Sequence, residues 1–385
     1  MRSNTVIKFM DLFRSVLVAA ICCTGAVAAS PQKKAEPKTT KPDRVEQLIS
    51  NSMSDPLLDR ELKFNADSIR RITLNSPELT KAGWPRLSEF NKLQSISIRS
   101  AKTLSDTGLD FPKPMERLEF LELTSCDKVT GSFLKHGAKW PRLASLFIRS
   151  SAFDGQHLIH LRGSRLRHLD IRSPKLRHTH LSAFGELQEL EEIRIFNSPQ
   201  LFALNLSQFP NLREITIRNC GLRSQGFRGL KDHKHLEIVR FIDCKHMRDL
   251  NFASLKSLRV LEISNSDTGD KTTSSLSGLE RLEVLSLPGC PNITALNLKN
   301  MTNLKRLDLS GTKLSPGSLK DVRAASKLER LDLARCGELG KEEARAIAKL
   351  PNLKSLDVIK TTLTPAAYKP LTDLKAKGKV RVYIE

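Results

Sequence analysis

Apolar and polar residues follow one short motif along most of the chain, and the motif returns every 22 to 25 residues. One copy places Leu328, Leu331 and Leu333 at its first, fourth and sixth positions, and the copy that begins at Leu353 repeats this spacing. Side chains on a strand point alternately to opposite faces, so positions 4 and 6 face one side and positions 3, 5 and 7 face the other. The pattern predicts one short strand per copy, with one face buried.

Thirteen copies follow one another with no long interruption. They begin at Ile69, Leu93, Leu118, Leu143, Leu166, Leu190, Leu212, Leu236, Leu258, Leu282, Leu304, Leu328 and Leu353. A strand that recurs at this period predicts a parallel sheet in which neighbouring strands lie about 4.8 Å apart.

The motif resembles the leucine-rich repeat, L-x-x-L-x-L-x-x-N/C-x-L. The resemblance implies an α/β fold: a right-handed horseshoe solenoid with a concave parallel sheet of about 13 to 14 short strands and a convex side of helices and extended segments. It also implies a general role in protein recognition. Position 9 carries cysteine in five copies, which resembles the cysteine-containing subfamily: Cys126, Cys220, Cys244, Cys290 and Cys336. Residues 358–374 are similar to exported bacterial repeat proteins that are common in planctomycetes.

The two ends of the chain differ in composition from the repeats. Residues 1–28 combine basic residues, an apolar run too short to span a membrane and a small-residue cleavage site, so they are predicted to be a signal peptide. Residues 29–44 are rich in Lys and Pro and are predicted to be a disordered tether. An N-terminal helical cap is predicted over 45–66, leucine-rich repeats over 67–364 and a C-terminal cap over 365–385. We therefore expect an exported protein that is periplasmic, on the cell surface or secreted.

A second alternation begins at Leu190. Position 2 changes the sign of its charge from copy to copy: Glu191, Arg213, Glu237, Arg259, Glu283, Lys305, Glu329 and Lys354. Because neighbouring strands lie close together, these side chains are predicted to form a ladder of ion pairs. The return segments alternate as well. They are predicted to be extended at 203–206, 249–252 and 295–298, and helical at 224–236, 272–282 and 316–328.

The charge balance is strongly basic, with 63 Lys and Arg against 42 Asp and Glu and a net charge of +21. Such a charge favours anionic partners. Aromatic residues make up only 5%, which argues against a stacking platform for single-stranded nucleic acid. No P-loop, G-x-S-x-G or H-E-x-x-H motif is present, so we predict no catalysis and no cofactor. Five histidines between 157 and 180 straddle two copies without a completing cysteine or carboxylate, and are predicted to be surface residues rather than metal ligands.

Positions 3, 5 and 7 form the concave face, where repeats of this shape usually bind. The candidate binding residues on this face are Arg99, Arg149, Arg172 and Arg218 at position 7, Arg194 and Arg240 at position 5, and Phe120, Phe147 and Phe196. The first hypothesis is a protein partner bound through the apolar residues. The alternative is an acidic polymer, either a sulfated or uronic polysaccharide or a nucleic acid, gripped by the arginines in forked pairs. A structural interpretation instead pairs the arginines with acids of the same face: Glu122, Asp170, Glu192 and Glu214.

Overall fold

The computed structural model describes residues 46–384. The predicted signal peptide and tether lie outside the described residues. The strands are β1 (Gln47–Ser50), β2 (Arg71–Asn75), β3 (Ser95–Arg99), β4 (Phe120–Thr124), β5 (Ser145–Arg149), β6 (His168–Arg172), β7 (Glu192–Ser198), β8 (Leu204–Asn205), β9 (Glu214–Cys220), β10 (Phe227–Arg228), β11 (Ile238–Ile242), β12 (Val260–Ser264), β13 (Val284–Ser286), β14 (Arg306–Asp308), β15 (Arg330–Asp332), β16 (Glu338–Leu339), β17 (Ser355–Asp357), β18 (Thr362–Leu363) and β19 (Arg381–Tyr383).

Fifteen of these strands form one sheet, in which each repeat lies beside the next in chain order. All the pairings are parallel and keep equivalent positions together; Leu285 lies opposite Leu307, for example. The side chains at positions 4 and 6 are buried along the whole sheet and form its core. β8 pairs with β10 and β16 pairs with β18 in two small sheets made by the return segments. The fold predicted from the motif is therefore confirmed, and all thirteen copies contribute a strand to the main sheet.

The helices are short. The α-helices are α1 (Asp55–Asn65), α2 (His178–Ser182), α3 (Asp270–Ser274), α4 (Lys341–Ala348) and α5 (Pro365–Ala376). Turns of 3₁₀ helix cover Trp84–Glu89, Asp106–Leu109, Ser132–Lys139, Gln156–Leu161, Leu206–Gln208, Ser224–Gly226, Leu230–Asp232 and Val322–Ala324. Helix α5 and strand β19 lie in the segment predicted to be the C-terminal cap, 365–385.

The start of the N-terminal cap differs from the prediction of a helix over 45–66. Residues Gln47–Ser50 form β1, which pairs with β2 and adds the fifteenth strand. Helix α1 follows and buries Leu58 and Leu62. Without β1, the outer edge of β2 would have N–H and C=O groups without hydrogen-bond partners. A strand at 47–50 pairs with these groups, whereas a helix there would not. The adjacent apolar residues Leu48 and Ile49 fit either structure, so the sequence pattern did not distinguish them.

The predicted helical returns are also shorter than expected. Segment 224–236 holds two turns of 3₁₀ helix separated by β10, and only 270–274 and 322–324 are helical in the next two such returns. Gly229 has a φ of 79°, a left-handed conformation that interrupts a helix and that glycine adopts without strain. β10 then pairs with β8, so here an extended return lies beside another extended return.

Position 9 supplies hydrogen bonds from side chains to the backbone inside the solenoid. The Sγ of Cys290 lies 3.4 Å from the carbonyl oxygen of Ile263, and the Sγ of Cys244 lies 3.6 Å from that of Ile217. In the copies that begin at Leu143 and Leu166, a buried serine at position 8 takes this place, Ser150 and Ser173 respectively. The side chain at position 9 therefore points inward and bonds the backbone in these copies, and in two copies the residue before it does so.

The position-9 cysteines should resist alkylation while the protein is folded. All five are free thiols, and burial raises the pKa of Cys220 to about 12 and that of Cys126, Cys244 and Cys336 to about 11. Because the thiolate is the reactive form, we expect little labelling by iodoacetamide at neutral pH and full labelling after unfolding. Mass spectrometry of the labelled peptides measures each site. Fast labelling of Cys220 in the folded protein would contradict this arrangement.

An aspartate in some return segments binds the backbone of the following repeat. The carboxylate of Asp106 accepts hydrogen bonds from the N–H groups of Thr130, Gly131 and Phe133 and from the Thr130 hydroxyl. Asp270 binds Thr294 and the next residue in the same way. These contacts tie adjacent repeats together on the side away from the sheet strands.

The Asp106 contacts predict a dependence of stability on pH. Burial alone would raise the pKa of Asp106, but the hydrogen bonds from Thr130, Gly131 and Phe133 outweigh it and lower the pKa. A carboxyl group with a depressed pKa in the folded state stabilises the protein above its unfolded pKa of about 4 and loses that contribution as the pH falls. We therefore expect Asp106→Asn to lose stability at pH 7 and to show a flatter decline below about pH 4 than the parent protein. Urea unfolding at a series of pH values measures both; parallel curves would contradict the prediction.

Candidate concave binding face

All nine candidate residues lie on the face formed by positions 3, 5 and 7, but the position-7 arginines do not form a continuous track. In the strand register Arg149 lies beside Arg172, Thr124 separates Arg149 from Arg99, and Phe196 separates Arg172 from Arg218. The positive charges are therefore interrupted at two points along the row.

Two of these arginines pair diagonally with an acid at position 5 of the next strand. The guanidinium of Arg99 donates to Glu122 through Nη2 at 3.0 Å and Nε at 3.3 Å. That of Arg149 donates to Asp170 through Nη2 at 2.6 Å and Nε at 3.1 Å. Asp170 is 1% exposed, and its hydrogen bonds raise the pKa of Arg149. Forked pairs of this kind fix both partners in orientation as well as in distance.

The arginines at position 5 share a second set of acids. Arg194 contacts Glu192 on its own strand and lies 3.2 Å from Glu214. Arg240 approaches the same Glu214 from the other side at 3.0 Å and lies 3.6 Å from Glu262. The buried carboxylate of Glu214 therefore bridges two guanidinium groups across three strands.

Arg172 and Arg218 lack the diagonal partner, because position 5 of their next strand holds Arg194 and Arg240. Arg218 reaches Asp243 instead, at 3.6 Å. Within residues 46–384, no carboxylate lies within ion-pair distance of Arg172, and its guanidinium sits 5.8 Å from the ring centre of Phe196. Five of the six candidate arginines thus have a carboxylate partner. Four of them pair with acids that the structural interpretation named, and Arg218 pairs with Asp243, which it did not name.

The apolar candidates remain partly open to solvent. The rings of Phe120 and Phe147 meet edge to face with centres 5.1 Å apart, and both side chains are half-buried, as is Phe196. A second apolar group on this face did not appear among the predictions. It is the row Ile238, Val260 and Val284, which occupies position 3 of three successive strands. The sequence did contain a signal for this row: position 3 carries a branched apolar residue in these three copies and a polar residue in many of the others.

The face becomes acidic towards its C-terminal end. Asp308, Asp332 and Asp357 occupy position 5 of three adjacent strands in register. Burial raises the pKa of Asp332, and the neighbouring charges of Asp308 and Asp357 raise it further. The concave face therefore presents a paired network of arginines and acids in its N-terminal half and a row of carboxylates in its C-terminal half.

The predicted ladder of charges at position 2 is present in part. Glu283 lies 2.8 Å from Arg259 on one side and 2.8 Å from Lys305 on the other, and hydrogen bonds from these two residues lower its pKa. Lys354 and Glu329 form a separate pair at 2.8 Å. Among the described residues no ion pair joins Lys305 to Glu329 or Glu191 to Arg213. These side chains are largely exposed, so each pair contributes little stability, and the regular alternation favours one register between repeats.

Neither a metal site nor a membrane span is found in the described part of the chain. No group of three or more His, Cys, Asp or Glu side chains between 46 and 384 could hold a metal ion. The rings of His157 and His160 stack 5.7 Å apart, and the Nδ1 of His168 lies 3.1 Å from the hydroxyl of Ser145. Among the helices of these residues, none has the length and apolar character needed to cross a bilayer.

The solved structures that resemble this solenoid are leucine-rich-repeat proteins. An internalin from Listeria monocytogenes aligns with a TM-score of 0.58 at 20% identity, over 77% of this chain and 88% of that one. A chain of the mouse RP105/MD-1 complex aligns with a TM-score of 0.59 at 16% identity, over 88% and 59% of the two chains. A chain of the Drosophila Toll–Spatzle complex aligns with a TM-score of 0.57 at 16% identity, over 87% and 45%. These likenesses establish the fold.

No family model and no curated protein matches the sequence. The chain thus has the leucine-rich-repeat fold, by its motif, its 15-stranded parallel sheet and its structural neighbours. The finer resemblance to the cysteine-containing subfamily and to planctomycete proteins stays a prediction.

Proposed function

We propose that this chain is a non-enzymatic module that binds a protein partner on its concave face, outside the cytoplasm. One observation carries the proposal: apolar side chains stand half-exposed on a face whose arginines are largely paired with carboxylates. Anchors of a protein interface are typically aromatic or aliphatic groups that become fully buried on binding, surrounded by polar contacts that exclude water. The Phe120–Phe147 pair and the row from Ile238 to Val284 have this character.

The structural neighbours support a binding role. Two of the similar chains were solved within complexes, RP105/MD-1 and Toll–Spatzle. The absence of a catalytic motif in the sequence supports a module without chemistry of its own. The signal peptide predicted over 1–28 supports an exported location.

An acidic polymer bound by the concave arginines is the weaker proposal. Each paired guanidinium would have to give up a carboxylate, and Asp170 and Glu214 are too buried to regain full hydration. Only Arg172 offers an unpaired charge among the six candidates in the described residues. The net charge of +21 therefore does not by itself make this face a polyanion site.

A pair of matched double variants tests the proposal. Phe120→Ser with Phe147→Ser removes two rings from the concave face, and Phe64→Ser with Tyr368→Ser removes two rings from exposed positions on the cap helices α1 and α5. The unsubstituted protein serves as bait for exported proteins of its host at physiological salt. We expect a discrete partner to be retained by the unsubstituted protein and by the cap variant, and to be lost from the concave variant. Equal retention by both variants would contradict binding through these rings.

A further inference from the structure

A polar cleft lies beside the concave face, where the chain leaves the sheet in three successive repeats. It has a volume of about 290 Å³. The residues that line it follow strands β5, β6 and β7, and they are Asp154, Gln156, Lys175, Arg177, His180 and Gln200. We refer to this set as the rim cleft. It shares no residue with the candidate concave site.

The rim cleft has unpaired positive charge. Lys175 and Arg177 are both exposed, and neither has an ion-pair partner among residues 46–384. The one acid of the cleft, Asp154, uses its Oδ1 to accept the backbone N–H of Gln156 at 2.9 Å. The cleft thus contains two cations and one carboxylate, and one oxygen of that carboxylate already accepts a backbone hydrogen bond.

The side chain of His180 lines the rim cleft and is held in place by its neighbours. Its Nδ1 accepts the backbone N–H of Arg177 at 3.3 Å, which sets the side chain against its own loop. Gly155 packs on this ring: a Cβ there would lie 3.0 Å from His180 Nδ1 and 2.7 Å from Leu176, and its φ is 84°. Burial lowers the pKa of His180, so the ring adds no charge at neutral pH. The positive charge of the cleft at neutral pH is therefore carried by Lys175 and Arg177.

An exposed aromatic ring, that of Phe202, lies close to the rim cleft along the chain. Phe202, two residues after Gln200, is 41% exposed, which is unusual for a phenylalanine in this chain. Its ring lies 6.0 Å from that of His178, the residue after Arg177, and the guanidinium of Arg223 lies 5.2 Å from its centre. The Phe202 ring therefore contacts the chain neighbour of one cleft residue and lies two residues from another.

We propose that the rim cleft binds an acidic sugar, either a uronate or a sulfated residue of an oligosaccharide. Lys175 and Arg177 would hold the anionic group through charge-assisted hydrogen bonds. The side-chain amides of Gln156 and Gln200, which both donate and accept, suit the hydroxyl groups of a sugar ring. Phe202 offers a flat apolar surface for the carbon-bound hydrogens of the neighbouring ring. A single aromatic residue favours a saccharide over a single-stranded nucleic acid, which is bound on a succession of rings.

This site is independent of the proposed protein partner, because the rim cleft and the concave rings do not overlap. The two proposals can therefore fail separately. Isothermal titration calorimetry measures the affinity of the purified protein for oligogalacturonate and for a heparin-derived oligosaccharide. The comparison distinguishes a uronate ligand from a sulfated one. Binding of at least one of the two oligosaccharides supports the proposal. If the protein binds neither of them, the proposal is overturned.

Two double variants of equal charge provide the decisive comparison. Lys175→Ser with Arg177→Ser removes the cations of the rim cleft. Arg142→Ser with Arg165→Ser removes two exposed cations that have no ion-pair partner within residues 46–384 and that precede β5 and β6, at the opposite ends of the strands from the cleft. We expect the first pair to weaken binding about tenfold or more and the second to weaken it less than about twofold. Equal weakening would mean that only net charge matters, which would overturn the site.

A third variant and a different polymer test the chemical class. Phe202→Ala should weaken binding of the oligosaccharide several-fold but leave binding of the free monosaccharide acid unchanged, because only the longer ligand reaches the ring. Single-stranded DNA of matched charge should bind weakly and should lose affinity equally in both double variants. Tight DNA binding that depends on Lys175 and Arg177 would replace the sugar with a nucleic acid and overturn the proposal.

Discussion

Replacing Asp170 by alanine is expected to lower the free energy of unfolding by roughly 2 to 4 kcal/mol. Asp170 is buried and accepts both arms of the Arg149 guanidinium, so its removal leaves a cation without a partner in a site where water replaces it poorly. Arg149 is 29% exposed, which places the cost somewhat below that of a fully buried pair. Urea unfolding followed by circular dichroism measures the change.

The matched control removes both charges. Arg149→Met combined with Asp170→Leu replaces the pair with apolar side chains, and we expect it to recover a large part of the stability lost in Asp170→Ala. Recovery would identify a structural ion pair. A loss of less than about 0.5 kcal/mol in Asp170→Ala would contradict this role and would return Arg149 to the set of arginines available to a ligand.

Replacing Phe241 by alanine is expected to cost about 3 to 5 kcal/mol, the largest effect of any single change considered for this chain. Phe241 occupies position 6 of β11 with no exposed surface, and its ring packs edge to face on Phe227 of the return segment at 5.1 Å. Truncation leaves a cavity between sheet and return that the short return segment cannot close. Because each repeat is stabilised by its neighbours, we expect the loss to lower the cooperativity of unfolding as well.

The adjacent residue gives the control for Phe241. Ile242 follows on the same strand but points to the concave face, where it is half-buried. We expect Ile242→Ala to cost less than about 1 kcal/mol. Similar losses for the two variants would contradict the assignment of inner and outer faces on which the binding proposal depends.

The sequence predicted the repeat architecture well because the same short pattern of apolar and polar residues recurs in every repeat of the solenoid. Each apolar residue at positions 4 and 6 faces the same core, so thirteen copies of a weak signal agree. The errors lie where that repetition stops. Residues 47–50 form a strand because they pair with the open edge of β2. In 224–236 the left-handed conformation of Gly229 and the pairing of β10 with β8 are incompatible with the predicted helix. Neither influence is visible in the spacing of apolar residues.

The concave columns were also predicted, but the state of the arginines depends on a contact between strands. A position-7 arginine is paired when position 5 of the next strand is acidic, as for Arg99 and Arg149, and it lacks that partner when the position is basic, as for Arg172. Counting charges over the whole face does not reveal this diagonal relation. The rim cleft was missed because its residues come from the return segments of three repeats, where polar residues do not recur at a fixed spacing.

The salt dependence of binding to the captured protein partner tests the central claim most directly. The affinity of the purified pair is measured by titration between about 50 and 200 mM salt, with the Phe120→Ser and Phe147→Ser variant alongside. Binding through the apolar rings of the concave face predicts an affinity that changes less than about threefold over this range and is lost in the variant. A fall of about a thousandfold with salt, equal in both proteins, would mean that the net positive charge rather than the concave face holds the partner.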